Sequence, residues 1–141
     1  MNGASLPRYE YFEHDADIGV VGRGATVEQA FEAAAEATFA IMSDPASLRE
    51  SEDVSVSFAE EDLELALVQW LNALIGAARE RGLALRRFAL SRDGPHWIGR
   101  AWGERWREDT ERGVEVKGAT LTMLSVKSGA DGWEARCIVD V

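Results

Sequence analysis

One cysteine in 141 residues, Cys137, rules out a disulfide or a cysteine-based zinc cluster within one chain. A reducing cytoplasm is the compartment this usage fits. Histidine is nearly as scarce: His14 and His96 are the two imidazoles available as a base near neutral pH. No apolar run approaches the roughly 20 residues that span a bilayer, so no membrane association is expected. Met1 to Pro7 lacks the charged start and apolar body of a signal peptide. A glycine-rich phosphate loop is missing too, because Gly22-Arg23-Gly24 has neither the third glycine nor the lysine. Nor is there a nucleophile-elbow motif.

Positive charge is the other shortage. Residues 1–78 carry 15 acids and 3 bases, a net of −12, whereas residues 79–141 carry 12 bases and 10 acids, a net of +2. Tight autonomous nucleic-acid binding draws on concentrated basic surface and is not expected. An acidic half suits a basic protein surface or cations, or serves only as a solvated exterior.

What is present reads as one domain spanning residues 1–141, with residues 1–7 expected to be flexible. Arg8–His14 has the aromatic content of a strand, Asp15-Ala16-Asp17 reads as a turn, and Ile18–Val21 as a second strand ended by Gly22 and Gly24. Thr26-Val27-Glu28-Gln29 is a capping box that opens a helix. Its apolar face carries Val27, Phe31, Ala34, Ala35, Thr38 and Met42. Glu28, Glu32 and Glu36 form a face expected to be solvated. Pro45 stops this helix near Ser43.

Asp53–Phe58 alternates as a half-buried strand. Glu60-Glu61-Asp62 then leads into a helix whose stripe is Leu63, Leu67, Trp70, Leu71, Leu74, Ile75 and Ala78, with Gly82 as its stop. From Leu83 the pattern is strand to the end, with a bulge expected at Arg86-Arg87 and a turn at Asp93-Gly94-Pro95. Residues 104–113 read as a charged loop, and Thr120–Lys127 with Trp133–Asp140 as a closing hairpin. The order predicts an α+β domain: about seven strands in a mixed, largely antiparallel sheet with two helices packed on one face.

Two stretches carry candidate chemistry. His14-Asp15-Ala16-Asp17 puts an imidazole and two carboxylates within four residues, and the chain closes on Asp140-Val141. Held close, carboxylates repel unless a proton or cation lies between them, and an all-oxygen set suits Ca²⁺ or Mg²⁺ over Zn²⁺. The plainer account is that Asp15 caps a turn, Asp17 is solvated and His14 is a hydrogen-bonded structural residue. A metal-dependent hydrolase or nuclease would use Asp15, Asp17 and Asp140, with His14 as its local base. A general chaperone-like binder is a further alternative. Cys137 sits at a core-facing strand position. Arg79, Arg81, Arg86, Arg87 and Arg92 read as a charged strand edge or as contacts to RNA phosphate or an acidic partner.

The ordered set Tyr11-Phe12-Glu13-His14-Asp15-Ala16-Asp17-Ile18-Gly19, Thr26–Phe31, Phe39–Asp44, Trp70-Leu71-Asn72, Gly113–Thr120 and terminal Asp140-Val141 resembles the archease family. That resemblance implies a non-enzymatic activator of an RtcB-type RNA ligase. It would promote guanylylation and multiple turnover in tRNA splicing or RNA repair. It also implies a divalent-cation site, most simply Ca²⁺ with Mg²⁺ or Mn²⁺ as alternatives, held by Asp17, Asp140 and Val141. No residue is implied to be catalytic. Asp15 departs from the family's more common Thr, which leaves its role as a ligand open.

Overall fold

Tyr9–His14 (β1) and Asp17–Gly24 (β2) form an antiparallel hairpin closed by the two residues Asp15 and Ala16. Asp15 has φ of 52°, a left-handed conformation that Asp tolerates better than most residues. The computed structural model describes residues 6–141, so the flexibility expected of residues 1–7 falls, for residues 1–5, outside the described part.

Val27–Met42 (α1) begins at Thr26, whose hydroxyl accepts from the Gln29 amide at 3.1 Å. Gln29 reaches back to the Ala25 amide at 2.9 Å, one residue earlier than a standard capping box. After a 3-10 turn at Pro45–Ser47 comes Glu52–Ala59 (β3). Leu63–Arg81 (α2) follows, capped by the Asp62 carboxylate on the Glu64 and Leu65 amides and by Gly82 at φ of 67°. Leu83–Asp93 (β4) and His96–Arg105 (β5) form a hairpin with a register shift between Leu85 and Arg87, as the parity break predicts.

The last expected hairpin differs in detail. Gly118–Ala119 (β6) and Ser125–Gly129 (β7) both pair with Gly132–Asp140 (β8), and the arc between them is not strand. In that arc Met123 adopts φ of 51°, and Leu121 and Met123 are exposed, so Thr120–Lys127 is not the continuous strand expected.

The α+β class, the two helices and the largely antiparallel strands are as expected, but the strands divide into two wholly antiparallel sheets. One has the order β1-β2-β8-β6, with β7 also on β8; the other has the order β3-β5-β4. The division follows from α1, which lies against β2 and β8 of the first sheet and β4 of the second. A helix covered by both sheets must be buried on several sides and must be thin. Ala30, Ala33, Ala34, Ala35 and Ala37 are accordingly fully buried. At the crossing with β2 a side chain on Gly22 would overlap the Ala30 carbonyl and Ala34 amide, so backbone packs directly on backbone. The expected solvated glutamate face is also recruited. Glu32 accepts the Leu90 amide of edge strand β4 at 2.8 Å, and burial pushes its carboxyl pKa up. Glu36 pairs with Arg8.

Aromatic residues fill the space that alanines leave. Trp70 of α2 donates from its indole to the Phe31 carbonyl at 2.9 Å and lies over Gly99 of β5. Phe31, Trp97 and Phe58 stack in sequence, with centroids 5.3 and 5.8 Å apart. Cys137 is in this core, and burial pushes its thiol up to about 12, which suits a small packing residue.

Glu104 is 6% exposed; it accepts the Arg49 amide at 2.7 Å and pairs with Arg107. The Arg49 amide, followed by Arg107, holds this carboxyl below the usual glutamate range. A depressed native pKa stabilises the fold above the ordinary glutamate pKa, and that stabilisation is lost as pH falls through the native value. Glu104→Gln keeps an acceptor and loses the charge, so it costs about 1 kcal/mol at pH 7. In urea titrations the difference from wild type shrinks as the pH is lowered.

A carboxylate corner at the end of the first sheet

β8 would be expected to fray at its end, yet it is held on both sides. On one side Ile18 of β2 pairs with Val139. On the other, Lys117 donates from its amide to the Asp140 carbonyl at 2.8 Å, and Thr120 donates to Ile138 from both its amide (2.9 Å) and its hydroxyl (3.0 Å). One step beyond Ile18↔Val139, the same register sets Asp17 across from Asp140. Cross-strand neighbours in an antiparallel pair project to the same face. The Val141 amide then donates to Asp17 Oδ1 at 3.4 Å.

Asp17, Asp140 and Val141 therefore come from opposite ends of the chain to one corner. Asp15 does not join them: its side chain is 94% exposed at the hairpin tip, where it lies 4.0 Å from His14 Nδ1. His14 Nδ1 is buried and, among the described residues, has no hydrogen-bond partner. Among the described residues, no group of three or more His, Cys, Asp or Glu side chains is close enough to hold a metal. The donor set at the corner is two side-chain carboxylates plus the oxygens of Val141. That chemistry matches a hard cation which completes its shell with water, and not zinc.

The arginines of residues 79–92 are spread over separate contacts. Arg81 pairs with Glu52, Arg86 and Arg87 share Glu50, and Arg92 lies over the Trp97 ring. Arg79 reaches the Val116 carbonyl at 3.5 Å. Arg79 and Arg81 end α2, and the charged strand edge holds only for Arg86, Arg87 and Arg92 on β4; no single anion site gathers the five. His96 is exposed at the start of β5, in the other sheet from Asp17.

The feature that sequence reasoning missed lies beside the corner. Tyr11, Glu13, Asp17 and Ile18 of the hairpin, with Ala40 and Ile41 of α1, line a shallow groove of about 370 Å³. Its one sequence signal was the shared parity of Tyr11 and Glu13 in β1. The Tyr11 hydroxyl donates to the Ala37 carbonyl of α1 at 2.6 Å, so the hairpin is tethered to the helix.

The family described as Archease protein family (MTH1598/TM1083) matches residues 9–141. A protein archease of Sulfolobus acidocaldarius is 31% identical over 139 residues, covering 96% of this chain and 100% of its own. One from Pyrococcus furiosus is 32% identical over 142 residues, with the same coverage. The solution structure of Methanobacterium thermoautotrophicum protein 1598 superposes with a TM-score of 0.83 at 29% identity, covering 95% of this chain and 99% of that one. A Thermotoga maritima crystal structure, described as an archease and possible chaperone, shares the fold with a TM-score of 0.64 at 20% identity and full coverage of both chains.

The tether has a spectroscopic consequence. Burial pushes the Tyr11 phenol up to about 12. Ultraviolet titration of the folded protein shows a tyrosinate step near that pH, and Tyr11→Phe removes it. The same substitution costs about 1 kcal/mol in denaturant unfolding through the lost hydrogen bond.

Proposed function

The chain belongs to the archease family, and from that premise we propose that it is a non-catalytic activator of an RtcB-type RNA ligase. In this role it promotes the ligase's guanylylation and multiple turnover during tRNA splicing or RNA repair. A divalent cation, Ca²⁺ first and Mg²⁺ or Mn²⁺ as alternatives, is bound by Asp17, Asp140 and Val141. The observation that carries the reading is the contact between Asp17 Oδ1 and the Val141 amide, which joins the start of β2 to the residue after β8. A bound hard cation supplies neutralisation of the charge that Asp17 and Asp140 bring to one edge. The acidic residues of the first half complement the basic surface an RNA-handling partner presents.

The Thermotoga maritima relative is described as a possible chaperone, which supports a second reading, a general binder of unfolded clients. The two readings part on selectivity. The ligase reading expects stimulation of one enzyme at low molar ratio, whereas the chaperone reading expects suppressed aggregation of unrelated proteins.

Ligation is measured with an RtcB-type enzyme far below its RNA substrate, with and without this protein. Wild type raises both the guanylylated fraction and the number of turnovers; Asp17→Ala and Asp140→Ala lose most of that gain while remaining folded. Unchanged ligation with wild type rejects the proposal, and RNA cleavage by the protein alone replaces it with a hydrolase.

Calorimetric titration tests the ion separately. Ca²⁺ affinity falls by about tenfold or more in Asp17→Ala and in a variant extended beyond Val141. Unchanged affinity in both removes these residues from the site.

A further inference from the structure

A cavity of about 510 Å³ lies between the C-terminal ends of α1 and α2. Its floor is apolar and buried: Phe39 of α1, Ile75 of α2, Leu83 at the start of β4, and Val116. Residues of the 106–116 segment form the remaining wall, and hydrogen bonds fix that segment at both ends. The Trp106 amide donates to the Gly82 carbonyl at 3.1 Å, and the Gly113 and Val114 amides donate to the Met42 and Ile41 carbonyls at 2.8 and 3.0 Å. A side chain on Gly113 would overlap the Ile41 carbonyl, so this wall packs directly on the end of α1. The volume is that of a small-molecule site and exceeds an ordinary packing void.

The backbone acceptors around the cavity are already taken. Besides Met42 and Gly82, the Ala78 and Arg79 carbonyls accept from the Gly82 amide, and the Val116 carbonyl accepts from the Arg79 guanidinium at 3.5 Å. Donors are what remain. Ser43 lines the cavity and is 5% exposed, and among the described residues its hydroxyl has no hydrogen-bond partner. Arg112 lies over the Trp106 ring at 4.2 Å and, among the described residues, has no carboxylate within 4.0 Å. Arg79 meets Glu115 at 3.9 Å, but the Glu115 side chain is 73% exposed, so water screens that pair and another carboxylate can displace it. Two arginines and one glutamate on this cavity reverse the sign of a chain whose net charge is −10.

We propose that the cavity binds a small amphipathic carboxylate, with its apolar body on the Phe39, Ile75, Leu83 and Val116 floor and its head at Arg112 and Arg79. A guanidinium presents paired N–H donors that match the two oxygens of a carboxylate. A ligand with the same body and a cationic head would leave those donors unmet and add repulsion. The site shares no residue with the Asp17, Asp140 and Val141 corner, goes beyond the ligase reading and stands whether or not a ligase responds.

The probe is octanoate, titrated into the full chain and followed by calorimetry and by backbone amide NMR. The expected result is saturable binding with a Kd below about 1 mM and shifts gathered at Ser43, Gly82 and Val114. Octylamine, with the same chain and the opposite charge, gives no saturable binding. Arg112→Gln, at an exposed position, weakens octanoate about tenfold while the rest of its amide spectrum matches wild type. The proposal is overturned by absence of binding at about 10 mM octanoate, by octylamine binding as tightly as octanoate, by unchanged octanoate affinity in Arg112→Gln, or by shifts confined to another part of the chain.

Discussion

The ladder between β2 and β8 is the interaction on which the candidate site depends. It joins residues 18–24 to residues 133–139, and its register brings Asp17 opposite Asp140. Shifting it by one residue would turn Val20 and Cys137 away from the core, so the register is enforced by buried apolar side chains far from the corner. β6 completes the clamp by pairing Gly118 with Asp140, which holds the backbone at that residue. Affinity for an ion at such a corner would owe as much to that clamp as to the acids themselves.

The second constraint is the thinness of α1. Two sheets reach one helix only where alanine and glycine let backbones approach, and Gly22 against Ala30 and Ala34 is the tightest such point. The void on the other side is taken by Trp70, Phe31 and Trp97, whose indoles also satisfy the Phe31 and Glu60 carbonyls. α1 in turn braces the hairpin through Tyr11 and Ala37. The end of the hairpin ladder that bears Asp17 is thus positioned from the helix as well as from β8.

The helix boundaries, the bulge near Arg86 and the burial of Cys137 were legible because each rests on local chemistry or short periodicity. The capping residues Thr26, Asp62 and Gly82 act within one turn of their own position, and the stripe from Leu63 to Ala78 needs no partner to be recognised. The solvated glutamate face was misread for a related reason. Periodicity locates a face, but it does not say that Leu90 of a distant strand will bring its amide to Glu32.

By itself the sequence determined the α+β class, the family likeness and the identity of the acids near each end of the chain. Only the tertiary structure decided that the strands split into two sheets, because that depends on what α1 touches on both sides. It also separated Asp15 from Asp17: a left-handed turn residue points to water, while the next strand residue but one meets Val141. Two carboxylates two positions apart are equivalent on paper. A two-residue turn between strands makes one a solvated tip and the other part of a corner.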